Sequence, residues 1–124
     1  CLGMQFIADN SEEFGLTKGL SFIPGEVKSL KNLGCKLKLP QIGWNSVSIN
    51  QKHKYLENIP DQTDFYFVNS FVFQPNNDLN IIGFTKYGIK FCSVIAEKNI
   101  FGTQFHPEKS SKAGLKILSN FLNA

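Results

Sequence analysis

The segment FYFVNSFVF, residues 65–73, carries the clearest structural signal in the chain. Seven of its nine residues are aromatic or valine, and such side chains are enriched in β-strands because they pack well on a pleated, half-buried surface. We therefore predict one strand over Phe65–Phe73. The turn-forming run Pro75–Asp78 follows, so the strand ends before it.

On the C-terminal side, further strands and a helix are predicted. Tyr87-Gly88 and Lys98-Asn99 are typical of tight turns between strands. The tail has apolar residues at helical spacing, with Ser110 or Ser111 as the N-cap of a helix. The predicted strands are Leu79–Thr85, Ile89–Ala96 and Ile100–Phe105.

On the N-terminal side the signals are shorter. An apolar stretch directly after Cys1 predicts a helix over Leu2–Ala8, and Gly43-Trp44-Asn45 predicts a loop. Several strands with a helix at each end indicate an α/β domain. Alternating polar and apolar residues predict strands at Glu26–Leu30, Lys36–Leu39 and Ser46–Ile49.

The composition excludes several classes of protein. The chain has 124 residues, of which 42% are hydrophobic and 19% charged, so it is neither disordered, nor a coiled coil, nor collagen-like. No apolar run approaches the ~20 residues of a membrane helix. The net charge is +3, and all 13 basic residues are scattered Lys with no Arg. The absence of Arg argues against bidentate nucleic-acid recognition.

The three cysteines are Cys1, Cys35 and Cys92. An odd number at irregular spacing forms neither a disulfide framework nor a zinc pattern. We therefore predict a reducing, cytoplasmic location and no metal. The chain begins with Cys rather than Met, and three origins are open: a piece of a longer protein, a processed enzyme with an N-terminal nucleophile, or a lipoprotein acylated on Cys1.

Two features suggest catalysis. A cysteine at a helix start is a candidate nucleophile, because the positive end of the helix dipole lowers the pKa of a thiol. His106-Pro107-Glu108 follows the strand predicted at Ile100–Phe105, and α/β enzymes place catalytic side chains at strand ends. Taken separately, the features also fit an inert cysteine and an ordinary turn. Together, Cys1, His106 and Glu108 form a nucleophile, a base and a carboxylate that orients the base.

Five segments, in this order, resemble class I (triad-type) glutamine amidotransferases, and within them the glutaminase subunits of imidazole glycerol phosphate synthase. The resemblance covers essentially the whole chain. It implies a flavodoxin-like α/β domain with a mixed central sheet, of which residues 1–124 would be the second half, from the nucleophile onward. The segments are CLGMQ (1–5), IPGEV (23–27), GWN (43–45), FYFVNS (65–70) and GTQFHPEKS (102–110).

The resemblance implies a role for each motif residue. Cys1 would attack the carboxamide of glutamine, His106 would protonate the leaving ammonia, and Glu108 would orient His106. The backbone N–H of Leu2 would form part of the oxyanion hole. The implied substrate-binding residues are Gln5, Glu13, Ser70 and Phe71, and those implied to face a partner are Trp44, Tyr66 and Lys109. Without the resemblance, Glu13 would be a capping residue and Gln5 a helix-surface residue.

The implied partner is a (β/α)₈ cyclase subunit, which would use the ammonia to make imidazole glycerol phosphate in histidine biosynthesis. No cofactor, nucleic acid or membrane is implied. Asn69 stands where the family usually has His, and Asn cannot take up a proton at neutral pH. A second branch of the family supplies ammonia for surface-sugar amidation, and Asn69 does not decide between the two.

Three alternatives stay open. An N-terminal-nucleophile amidohydrolase would use the α-amine of Cys1 as its base, leaving His106 and Glu108 without a role. A lipoprotein binding domain would be anchored through Cys1, and a non-catalytic relic would only bind a partner. We also expect the isolated chain to be poorly soluble and nearly inactive, with an open sheet edge and an incomplete oxyanion hole.

Overall fold

The structure, a computed structural model, describes residues 1–124. It contains two α-helices, nine β-strands and three short 3₁₀ turns. The helices are α1 (Leu2–Phe6) and α2 (Ser111–Leu122). The strands are β1 (Asn10–Ser11), β2 (Thr17–Lys18), β3 (Gly25–Ser29), β4 (Gln41–Ile49), β5 (Thr63–Asn69), β6 (Phe71–Pro75), β7 (Ile81–Tyr87), β8 (Ile89–Glu97) and β9 (Ile100–Thr103). The 3₁₀ turns are Lys54–Leu56, Asp78–Asn80 and Pro107–Lys109.

The strands form two sheets. One has the order β2-β1-β3-β6 and the other the order β5-β4-β7-β8-β9. The β1–β3 pair is parallel, with Asn10 opposite Glu26, and the other strand pairs are antiparallel. The predicted α/β fold with mixed strand pairing is confirmed, and β5 lies at a free edge of the larger sheet.

Strand β8 lies between two hydrophobic clusters. Phe91 and Val94 belong to the larger cluster, to which α2 contributes Ile117. Cys92 and Ile95 belong to the smaller cluster, which packs against α1. Both faces of β8 are therefore buried, which explains why its sequence is almost continuously apolar instead of alternating.

The prediction of one strand over Phe65–Phe73 is wrong, because the chain bends at Ser70. β5 ends at Asn69, and the next strand starts after the bend in the other sheet. The Ser70 carbonyl accepts a hydrogen bond from the Leu30 N–H at 2.9 Å. The apolar run thus crosses from one sheet to the other, since each half finds a different pairing partner.

Two other predictions, one of a loop and one of a strand, are corrected for a similar reason. Gly43-Trp44-Asn45 lies inside β4, not in a loop, because Trp44 is paired opposite Tyr66 on β5. Lys36–Leu39 is not a strand. The Lys38 carbonyl accepts a hydrogen bond from the side-chain hydroxyl of Tyr87, and not from a backbone N–H of a neighbouring strand. A polar–apolar alternation becomes a strand only where a neighbour offers backbone groups to pair with.

The remaining predicted elements are confirmed with shifted ends. The first helix stops at Phe6, two residues short of the predicted end. Ser110 occupies the N-cap position of α2, but its side chain makes no capping hydrogen bond there. Neither helix is long and apolar enough to cross a lipid bilayer.

Candidate active site

Cys1 lies immediately before α1 and is fixed by contacts with distant segments. Its backbone nitrogen donates a hydrogen bond to the Thr103 carbonyl at the end of β9, at 2.8 Å. Its sulfur lies 3.7 Å from the Val68 carbonyl on β5 and 3.2 Å from Nε2 of Gln104. The half-buried thiol is therefore held between β5 and the segment that follows β9.

His106 is fixed against the same strand. Its backbone N–H donates to the Tyr66 carbonyl at 2.9 Å. Since β5 is an edge strand, Tyr66 and Val68, two residues apart, present their carbonyls on the same free edge, about 6–7 Å apart. Cys1 and His106 are thus attached to neighbouring points of one strand edge.

Glu108 holds the imidazole of His106. Its Oε1 lies 2.8 Å from Nδ1 of His106. Burial alone would raise the pKa of Glu108, but hydrogen bonds from its own backbone N–H and from His106, with the charge of His106, outweigh that effect and lower the pKa. An ionised carboxylate on Nδ1 fixes the tautomer that leaves Nε2 free to exchange protons.

Ser110 ties the catalytic loop to β5. Its hydroxyl donates to the His106 carbonyl at 2.7 Å and accepts from the Tyr66 N–H at 2.9 Å. Helix α2 packs closely on the same loop, because a Cβ on Gly114 would lie 1.8 Å from the Pro107 carbonyl oxygen. The loop that carries His106 is therefore supported from both sides.

One pocket beside α1 is lined by three of the residues expected to form the oxyanion hole or to bind the substrate. The pocket has a volume of about 280 Å³ and includes Leu2, Gln5 and Glu13. Lys18 also lines it, so the pocket presents one carboxylate and one ammonium group. Opposite charges of this kind complement the zwitterionic end of an amino acid. Larger cavities of about 420 Å³ and 760 Å³ contain none of the predicted site residues.

A network of buried amides connects this pocket to the sheet. Gln5 donates through Nε2 to the Phe71 carbonyl at 3.3 Å, and so does Nδ2 of Asn69, also at 3.3 Å. Oδ1 of Asn69 accepts from Gln41 on β4 at 3.0 Å, and Gln41 in turn accepts from Asn45 at 2.7 Å. Asn69 therefore uses both ends of its amide as a structural link, a role that needs no titratable group.

We expect Asn69→Ala to lower the free energy of unfolding by about 1–3 kcal/mol, because it leaves the buried amide of Gln41 without an acceptor. Chemical denaturation followed by circular dichroism measures the loss. The matched control is Asn32→Ala, which removes one exposed amide hydrogen bond to Glu12 and should cost below about 0.5 kcal/mol. Equal losses in the two variants would contradict the structural role of Asn69.

Two of the three residues expected to face a partner, Trp44 and Tyr66, lie on one surface. Trp44 is 53% exposed, and its ring meets that of Tyr66 edge-on, with centroids 5.8 Å apart. Ile42 and Val68, the next paired residues, extend the apolar surface along the two strands. Lys109 is exposed in the loop that Ser110 ties to Tyr66. We call the set Ile42, Trp44, Tyr66 and Val68 the β4–β5 surface.

The other cysteines and the other histidine make no hydrogen bond to Cys1, His106 or Glu108. Cys35 and Cys92 are buried and unpaired, and burial strongly raises the pKa of the Cys92 thiol. Nδ1 of His53 accepts from the Tyr55 N–H, and burial, followed by the charge of Lys54, lowers the pKa of His53. No three His, Cys, Asp or Glu side chains are arranged to hold a metal ion.

Reasoning from the sequence misses the buried polar residues around the site. Gln104 belongs to the segment GTQFHPEKS, but the motif by itself indicates no role for its side chain. Ser110 is predicted only as a helix cap, and Gln41 has no predicted role. In the sequence, these three residues are marked only as polar residues next to a predicted strand or motif, and that position does not reveal which groups they contact.

The fold and these side chains define an α/β domain in which a cysteine and a histidine–glutamate pair are both held against the edge of strand β5. The model of the family described as glutamine amidotransferase class-I matches residues 1–124. The chain belongs to the class-I glutamine amidotransferase family.

Curated relatives are identical to this chain at close to half of the aligned positions. The subunit HisH of imidazole glycerol phosphate synthase from Dehalococcoides mccartyi is 49% identical over 98% of the chain and 58% of its own length. The proteins of that name from Pelagibacter ubique and Methanocaldococcus jannaschii are 46% and 48% identical. Those two alignments include 99% and 98% of this chain, and 59% and 60% of the respective relatives. It therefore spans less than two thirds of the relatives it matches.

A solved structure from Thermoplasma acidophilum, assigned to a GMP synthase, has the same fold. It superimposes with a TM-score of 0.61 at 18% identity, covering 80% of this chain and 47% of the other. At this identity the likeness concerns the fold alone.

Proposed function

We propose that this chain carries the glutamine-hydrolysing chemistry of an imidazole glycerol phosphate synthase. The thiolate of Cys1 attacks the side-chain carboxamide carbon of glutamine, and the C–N bond breaks as His106 gives a proton to the leaving ammonia. Water, deprotonated by His106, then hydrolyses the thioester. The products are glutamate and ammonia, and the thiol is restored.

The arrangement on the free edge of β5 carries this proposal. The Val68 carbonyl contacts the Cys1 sulfur, and the Tyr66 carbonyl accepts from the His106 N–H. Glu108 keeps the Nδ1 side of the imidazole occupied. Nucleophile and base are thus on rigid backbone, as covalent catalysis requires.

The substrate end of the reaction is assigned to the pocket beside α1. The carboxylate of Glu13 would pair with the α-ammonium group of glutamine, and Lys18 offers a positive charge for the α-carboxylate. Gln5 and the Ser70–Phe71 backbone would complete the pocket from its inner side. The Leu2 N–H, which has no acceptor within the helix because it is the first, would bind the oxyanion.

We assign the β4–β5 surface to the (β/α)₈ cyclase subunit that receives the ammonia. This surface is largely apolar, is exposed at Ile42 and Trp44, and is adjacent to the loop of His106 and Ser110. The relatives are named as subunits of a synthase, which agrees with a partner. Ammonia released at Cys1 would then leave toward the partner in histidine biosynthesis. A cytoplasmic location is part of the same proposal.

Labelling with an electrophilic glutamine analogue tests the nucleophile directly. We expect one adduct, mapped by peptide mass spectrometry to Cys1, with Cys35 and Cys92 unmodified because they are buried. Free glutamine should protect Cys1 from labelling. Unprotected labelling, or an adduct on another residue, would exclude the proposed site.

We expect Trp44→Ala to weaken binding of the cyclase subunit by about 10–100-fold, since exposed aromatics at the centre of an interface often contribute about 2 kcal/mol or more. Titration calorimetry with the purified cyclase measures the dissociation constant. Leu79→Ala is the matched control, because Leu79 is also exposed (77%) but lies beside β7, away from Trp44. An unchanged dissociation constant for Trp44→Ala would place the interface elsewhere.

A further inference from the structure

Gln104 is a buried amide aimed at the candidate nucleophile. Its side chain has no exposed surface (0%), and its Nε2 lies 3.2 Å from the sulfur of Cys1. Its Oε1 is buried without any hydrogen-bond partner. Among the buried side-chain nitrogen and oxygen atoms of this structure, that oxygen alone is unpaired.

This arrangement is unusual for a residue with a purely structural role. More than nine in ten buried polar groups are paired, and an unpaired one is costly. Gln104 makes one side-chain hydrogen bond, and its acceptor is a sulfur atom. A neutral thiol is a weak acceptor, whereas a thiolate accepts a charge-assisted hydrogen bond of about twice the strength. The contact therefore favours the ionised form of Cys1.

The backbone around Gln104 leaves its side chain little freedom. The Gln104 N–H donates to the Ser93 carbonyl on β8 at 2.8 Å. Ser93 is itself buried and accepts a hydrogen bond from Thr85 at 2.8 Å. The amide is thus presented to Cys1 from backbone that is hydrogen-bonded to β8, two residues before His106.

We propose that Gln104 is a further catalytic residue, which donates an N–H to the sulfur of Cys1 and holds it in the anionic form that attacks. The inference rests on the proposed function, because it takes Cys1 as the nucleophile. On ionisation the thiol proton passes to His106, and Gln104 keeps its own protons. The sulfur loses its charge in the thioester and regains it when glutamate leaves, so the same N–H also favours the second step.

The pH dependence of Cys1 alkylation by iodoacetamide tests this proposal. Gln104→Met conserves the volume of the side chain and removes the donor. Losing a hydrogen bond to a charged group should move the midpoint of the alkylation profile up by about one pH unit. Because thiolate reactivity rises with basicity, the variant should react about threefold slower at low pH and about threefold faster at high pH.

That crossing of the two profiles is a signature that a packing defect would not produce. Gln104→Met should also be at least as stable as the wild type toward heat, since it removes the unpaired Oε1. Asn80→Leu is the matched control. Asn80 is a buried amide that donates to the Ala96 carbonyl, so its loss should leave the alkylation midpoint unchanged.

Peptide mapping in the same experiment reports whether each variant is folded, because Cys35 and Cys92 are modified only when exposed. If Cys35 and Cys92 become modified in Gln104→Met, the experiment is repeated with Gln104→Leu, whose side chain is smaller. Coincident midpoints for the wild type and a folded Gln104 variant would overturn the proposal. Alkylation of Cys1 requires no glutamine turnover, so it tests the role of Gln104 alone. The proposed glutaminase function is tested separately, and it fails if glutamine hydrolysis survives in the Cys1→Ser variant.

Discussion

Replacing the candidate nucleophile by Cys1→Ser is expected to lower kcat for glutamine hydrolysis by about 10⁴-fold or more. A serine hydroxyl keeps the position of the sulfur but is far less ionised, so no thioester or comparable ester forms at a useful rate. Losses of this order are typical when the nucleophile of a catalytic triad is removed. Glutamate production, followed with a coupled dehydrogenase assay in the presence of the cyclase subunit, measures the effect.

The matched control for this experiment is Cys92→Ala. Cys92 is buried in the smaller hydrophobic cluster, and burial raises the pKa of its thiol, so it contributes packing and no thiolate. We expect a modest loss of stability and a kcat within about twofold of the wild type. Glutamine turnover by Cys1→Ser above about one hundredth of the wild-type rate would contradict the proposed nucleophile.

The second large effect is expected for His106→Ala, which should lower kcat by about 10²–10⁴-fold, the usual contribution of a positioned general acid and base. The variant lacks the group that takes the thiol proton and gives a proton to ammonia. The backbone contacts of residue 106 with Tyr66 and Ser110 do not involve the imidazole and should persist. The same coupled assay, with circular dichroism to confirm the fold, separates catalysis from structure.

His53→Ala is the natural control, since His53 is the other histidine of the chain. Its Nδ1 accepts from the Tyr55 N–H in a 3₁₀ turn that includes no predicted site residue. We expect a small loss of stability and unchanged turnover. Turnover retained in His106→Ala, together with its loss in Cys1→Ser, would favour an N-terminal nucleophile that uses the α-amine of Cys1 as its base.

The candidate nucleophile and base could be named from the sequence, because each lies in a short local motif, and their proposed roles came from the resemblance of five segments to a known family. Cysteine before a helix and His106 two residues from Glu108 are local features, and the Nδ1–carboxylate contact follows from that spacing. The amide network was not accessible in this way. Asn69 could be identified as a departure from the family pattern, but its partner Gln41 is 28 residues away.

The sequence by itself determined both helices and the approximate positions of five strands, since these depend on local periodicity and turn residues. It did not determine the break at Ser70 or the extent of β4, because strand pairing is a contact between distant segments. Only the tertiary structure decided that the free edge of β5 gathers Cys1 and His106, and that Gln104 points at the sulfur. The physical reason is that the contacts at the site join segments up to 103 residues apart in the chain, beyond the reach of any local pattern.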